Sequence, residues 1–120
     1  MSDFEVKNVG TPDEVREFPL GRGDIVSIGG GEVALITLQP GWRWSEHVKP
    51  VAGTDLCQAP HFQYVITGHL QGRMADGTAF EARAGDVVVL SPGHDAWVVG
   101  DEPVTTIDWG GAHVWGKAQG

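Results

Sequence analysis

Five histidines and a single cysteine are the residues of this 120-residue chain best suited to chemistry: His47, His61, His69, His94 and His113, with Cys57. Neutral imidazole is a common ligand for divalent metals, and three imidazoles leave coordination positions open for water or substrate. Position singles out three of the five. His47 falls near the end of the β-like run Trp42–Val48, His61 opens the run His61–Thr67, and His94 follows the turn Ser91-Pro92-Gly93. Strand ends meet at the mouth of a barrel, so the expected metal ligands are His47, His61 and His94. Residues two apart on a strand share a face. Gln63 therefore points inward with His61, and Cys57 lies in a loop able to fold over the opening; either can act as a fourth ligand or support one. Such a set suits zinc, iron, nickel or copper. A nucleophilic Cys57 would need a base, and His61 is four residues away.

A second group of residues suits a small organic ligand. Lys49 could serve as a base or bind a carboxylate if it points inward, or be solvated or paired if it does not, since Pro50 ends the strand there. Trp42 and Trp44 lie two apart, and Trp97 and Trp109 lie on other runs. Trp44 and Trp97 with Lys49 are the expected substrate-binding residues. The competing reading gives the tryptophans to core and dimer packing. Glu46 and Asp95 alternate away from the neighbouring histidines.

The elements that must position these residues are short strands. The chain holds 18 Gly and 7 Pro, and its pattern from Arg22 onward is strand, turn, strand. Asp24–Ile28, Glu32–Leu38, Trp42–Val48, His61–Thr67, Leu70–Met74, Thr78–Ala82, Val87–Leu90, Ala96–Val99 and Val104–Trp109 read as strands. Asp76-Gly77 is a hairpin signal, and residues 49–60 read as a long loop, a candidate lid. Thr11-Pro12-Asp13-Glu14 carries a capping-box pattern that predicts one helical turn. Phe4-Glu5-Val6 alternates like an edge strand. Strands at this spacing without intervening helices predict an all-β, antiparallel sandwich or barrel. The expected layout is one domain, with an arm over 1–21, a barrel over about 22–109 and a loose tail over 110–120.

Composition removes several function classes. Sixteen acidic residues face eight Lys and Arg, a net charge of −8. Without a basic cluster, nucleic acid and anionic membranes are poor partners. No apolar run reaches the roughly 20 residues of a membrane span. One cysteine forms no internal disulfide and no secretory leader is visible, so the expected location is the cytoplasm.

At this point the chain resembles the cupin superfamily, small jelly-roll barrels built as a double-stranded β-helix. Gly41 is followed by five residues and His47; His61 is followed by six residues and Gly68 in HFQYVITG; Gly85 is followed by five residues and Ser91-Pro92-Gly93. The blocks GWRWSEHVKP and PGHDAWVVGDEP are similar to small stand-alone bacterial cupins. The resemblance implies a divalent metal held by two His, a Glu and a third His. Here His47 matches the first His, Lys49 stands at the second, His61 stands at the Glu and Ala96 at the last His. The loop after His47 is also longer than the family spacing. His94, two residues before Ala96, can supply an imidazole from the same face. The resemblance further implies a homodimer, formed by sheet packing or by exchange of the N-terminal strand Phe4–Val9.

Three functions follow. The first is a metalloenzyme of oxygenase, isomerase, lyase or cyclase type, acting on a small organic molecule at the barrel mouth. The second is a metal-free barrel that binds or senses a small molecule through Lys49 and the tryptophans. The third is a structural or interaction barrel. Fold does not choose among them.

Overall fold

The computed structural model describes residues 3–110. Nine strands and two single-turn helices follow one another. They are β1 (Glu14–Phe18), β2 (Gly21–Ile28), β3 (Gly31–Leu38), α1 (Trp44–His47), α2 (Lys49–Ala52), β4 (His61–Thr67), β5 (His69–Met74), β6 (Ala79–Arg83), β7 (Val87–Leu90), β8 (His94–Val98) and β9 (Val104–Asp108). All pairings are antiparallel. One sheet has the order β1-β2-β3-β9-β4-β7 and the other β6-β5-β8. This is the jelly-roll arrangement that the strand spacing and the cupin resemblance imply.

Alternation selects the inner faces. In β4, His61, Gln63 and Val65 are buried while Phe62 and Tyr64 face out; in β8, His94, Ala96 and Val98 are buried. Ile25, Ala34, Ile36 and Leu38 from the large sheet meet Leu70, Ala96 and Val98 from the small one. Trp42, Trp44, Val48 and Ala52 close one end of this core. Burial of this apolar surface is the main force holding the two sheets together.

Three expectations are corrected. Thr11–Glu14 makes no helical turn: Glu14 already begins β1, and the Asp13 carboxylate accepts the Ser27 backbone N–H while pairing with Lys7. These tertiary partners outweigh a local capping pattern. The arm over 1–21 therefore contributes a strand to the large sheet. Phe4–Val6 pairs with no strand, and Phe4 and Val6 are exposed. Trp42–Val48 is not a strand either. Arg43 makes one bridge to Trp97, and the chain then coils into α1 and α2. Asp95 accepts the Ser45 N–H at 3.1 Å and so satisfies a free helix-start donor from a distance. Pro50 occupies the first turn of α2 and Gly53 closes it in the left-handed conformation (φ 77°). Pro at a helix start and Gly just past its end are the expected asymmetry. The 49–60 loop is thus partly helical, and the tail beyond residue 110 lies outside the described residues.

Gly68 carries the chain from one sheet to the other, between β4 and β5. Its φ is +87°, and a Cβ there would sit 2.6 Å from the Pro103 carbonyl oxygen and 2.8 Å from Val104 Cα. Gly77, in the Asp76-Gly77 hairpin, has φ +90° but open space around it. Gly77→Ala should cost about 1–2 kcal/mol of left-handed strain. Gly68→Ala should add overpacking of about 1–3 kcal/mol to that. Thermal unfolding of the two variants side by side checks this; equal losses would show that the collision at Gly68 relaxes freely.

Candidate metal centre

His61 and His94 each sit at the first position of an inward-facing strand, β4 and β8. Cys57 is brought to them by its own backbone. Its N–H donates to the His94 carbonyl at 2.8 Å, and its carbonyl accepts the Gly93 N–H at 2.7 Å. These bonds dock the 53–60 segment antiparallel to the start of β8. The Cys57 Sγ and one nitrogen of each imidazole then lie within 4.8 Å of one another, all buried. Sγ is 3.9 Å from His61 Nε2, and the two rings are 5.2 Å apart at 57°.

Each imidazole is fixed from behind. His61 Nδ1–H donates to the Asp108 carboxylate, and Asp108 also accepts the Phe62 and Gly110 backbone N–H groups. His94 Nδ1–H donates to the Ser91 carbonyl at 2.8 Å. With the rear nitrogens so engaged, the other ring nitrogens face Cys57, and each offers a lone pair when its ring is neutral. A carboxylate or carbonyl behind a histidine is the usual support of a metal ligand.

The electrostatics follow from this packing. Burial pushes the Cys57 thiol up, but hydrogen bonds and charge from His61 and His94 more than offset it, and its pKa falls to about 6. Burial likewise disfavours a charged His61, yet Asp108 and Cys57 raise it to about 9. Burial alone would raise the Asp108 carboxyl; His61 and two backbone N–H groups bring it below its ordinary value.

The residues singled out in the sequence separate into two groups. Cys57, His61, Gln63, His94 and Trp44 line one partly open cavity of about 30 Å³, with Leu38, Leu90 and Thr106 among its other walls. His47, Lys49 and Trp97 do not reach it. His47 ends α1, where its Nδ1 accepts the Arg43 N–H at 3.0 Å, and the donors that the structure brings together are Cys57, His61 and His94. The coil at residues 44–52 turns His47 away. Lys49 is on α2, its side chain 44% exposed and 3.5 Å from Asp55. Trp97 alternates away from Ala96 and stacks outside under the Arg43 guanidinium at 4.3 Å. His69 pairs with Glu81 on the outer surface, and His113 lies outside the described residues. Asp108 was not singled out. An acid at an inward position of the otherwise neutral run VTTID is the signal that finds it.

Comparison with solved structures places this architecture. The chain is similar to a DUF1255 protein of unknown function from Acinetobacter sp. ADP1, with 15% identity and a TM-score of 0.60 over 82% of this chain and 90% of that one. It is similar to an oxalate decarboxylase structure (23% identity, TM-score 0.56), covering 82% of this chain and 28% of that one. It is also similar to the 11S allergen of Cocos nucifera (14%, TM-score 0.60), covering 81% and 31%. The chain thus spans less than a third of the latter two. These likenesses show the fold alone, a double-sheet jelly roll. No protein-family model and no curated protein sequence matches the chain.

The paired shifts of Cys57 and His61 have a consequence for the metal-free chain. Between about pH 6.5 and 9 the folded thiol is ionised where the unfolded one is not, which stabilises the fold more as pH rises. Over the same window folded His61 holds a proton that the unfolded one has lost, which stabilises it less. The two slopes cancel. Chelator-treated parent should melt at the same temperature from pH 7 to 8.5. Cys57→Ala should lose stability across that range, by up to about 1.4 kcal/mol per pH unit. Parallel pH profiles for the two proteins would show that no such proton exchange exists.

Proposed function

We propose that this chain is a metal-binding barrel that takes a small molecule into its inner cavity, beside an ion held by Cys57, His61 and His94. The observation that carries the reading is the convergence of one thiol and two back-supported imidazoles within 4.8 Å. The donor set passes a simple test of fit. The 3.9 Å between Sγ and Nε2 is shorter than a zinc–sulfur and a zinc–nitrogen bond laid end to end, about 4.3 Å, so one ion can reach both. Thiolate and imidazole together suit zinc, iron, nickel or copper. Three protein donors leave room for a further ligand, the pattern of catalytic rather than structural sites.

When bound, the ion would act as a Lewis acid toward an oxygen of the small molecule. The rest is work for the chain. Asp108 holds the proton on His61 Nδ1, and the Ser91 carbonyl holds the one on His94 Nδ1. Trp44, Leu38 and Leu90 keep the site largely dry, which strengthens each electrostatic contact. A Cys57–His61–Asp108 sequence also has the order of a thiol nucleophile, its base and an orienting acid. One observation favours the metal reading: His94 completes a three-donor set, which a thiol and its base do not need. The metal-free ligand reading draws on Lys49, Trp44 and Trp97; Trp44 lines the cavity, while Lys49 and Trp97 lie outside it.

Metal content of untagged protein tests the proposal. Near one ion per chain is expected in the parent, with the content lost in His61→Ala and Cys57→Ser. Asp108→Asn should weaken metal affinity by about 10- to 100-fold. A parent that arrives empty and takes up none of the four metals would overturn the reading.

We further propose that two copies associate through the outer face of β4, β7 and β9. Phe62, Tyr64, Ile66, Val87, Val89 and Trp109 are all exposed there, Val89 by 71%, and Phe62 packs edge-to-face on Trp109. The register sets Phe62 beside Val89, and Tyr64 beside both Val87 and Ile107, so the patch is continuous and uncharged. A uniform apolar face complements itself across a two-fold axis, whereas the rest of a chain of charge −8 repels its copy. Light scattering at micromolar concentration should report a dimer for the parent and a monomer for Val89→Lys. A monomeric parent would rule this association out.

A further inference from the structure

Some polar groups in the cavity have no use in holding a metal. Trp44 Nε1 and Thr106 Oγ1 are buried without any hydrogen-bond partner. Both residues are 1% exposed and both line the same cavity as Cys57, His61 and His94. Leaving such a group unpaired costs about 1–3 kcal/mol, so native proteins rarely do so without a reason. Gln63, 5% exposed, lines the cavity too, and its amide makes no side-chain hydrogen bond among the described residues. Trp42 also lines the cavity and its Nε1 is also unpaired, but that nitrogen lies on the Gly21 side, 3.2 Å from where a Cβ would be.

We infer that Trp44, Thr106 and Gln63 form a receptor for a small oxyanion of monocarboxylate type, seated next to the Cys57–His61–His94 donors. Three properties of the cavity define the ligand. An indole N–H only donates, and the hydroxyl and amide can donate beside it, so the ligand presents acceptor oxygens. The inner space, about 30 Å³ and shared with the ion, favours a ligand with few non-hydrogen atoms at its inner end. No Lys or Arg lines the cavity, so attraction for an anion comes from the ion itself: a divalent metal with one thiolate keeps a positive charge. On this last point the inference rests on the metal reading. Leu38, Leu90 and Ile36 supply the apolar wall on which a C–H would lie.

Formate is the probe. Zinc-loaded protein, its metal content measured before and after, is titrated with formate while the indole N–H signals are followed by ¹H–¹⁵N NMR, and Trp44→Phe assigns the Trp44 signal. A saturable shift of that signal is expected, with the Trp109 signal unmoved. Thr106→Val should raise the formate Kd at least tenfold, and Gln63→Met serves if that variant does not fold. Neutral formamide and bulky benzoate should leave the signal in place. Zinc-loaded protein whose Trp44 signal ignores formate would overturn the receptor and leave the metal reading standing. A chain that takes up no zinc would overturn the metal reading and, because the attraction for the anion comes from the ion, the receptor with it.

Discussion

Asp108 has no exposed surface, yet it carries a charge. A carboxylate in such a place is costly unless its oxygens are occupied. His61 and the N–H groups of Phe62 and Gly110 occupy them. All of these partners come from β4 and from the end of β9, which lie side by side with Gln63 opposite Asp108. The charge therefore ties the strand register to the site. A slip of one residue would turn His61 and Gln63 outward together and strand the acid in an apolar interior.

The third donor arrives by a different route. Cys57 belongs to no strand, and only its backbone bonds to Gly93 and His94 place its sulfur. The helical turns before it bury Trp44, Val48 and Ala52, which fill the barrel end beneath that segment. The cap and the third donor are thus one assembly: Trp44, Val48 and Ala52 all lie within thirteen positions of the residue that supplies the thiol.

Much of this was legible in the sequence. Period-two alternation places His61, Gln63 and His94 inward, and β4 and β7 match the expected runs residue for residue. Turn signals at Asp76-Gly77 and Ser91-Pro92-Gly93 separate the later strands correctly. What alternation could not show was where it stops applying. Residues 42–48 alternate well enough to pass for a strand, but Asp95, fifty residues on, offers Ser45 a hydrogen bond that favours a helix. His47 leaves the site on that account. Pro50 and Gly53 held the local clue. Cys57 was visible only as a loop thiol, because docking beside His94 is a tertiary fact. Asp108 sat unremarked within a strand whose existence was plain.

Strand order has one more implication. β3 pairs not with its sequence neighbours on both sides but with β2 and β9, so Leu35 faces Ile107 across more than seventy residues of chain. Closing a loop of that length must come before the contact can reward it, and folds ruled by such pairings form slowly. During synthesis the larger sheet remains split until β9 has left the ribosome. β4, which has only β7 and β9 as partners in that sheet, waits with it. The support for His61 is therefore delivered only once β9 has been made, and a nascent chain holds its thiol and imidazoles unassembled until then.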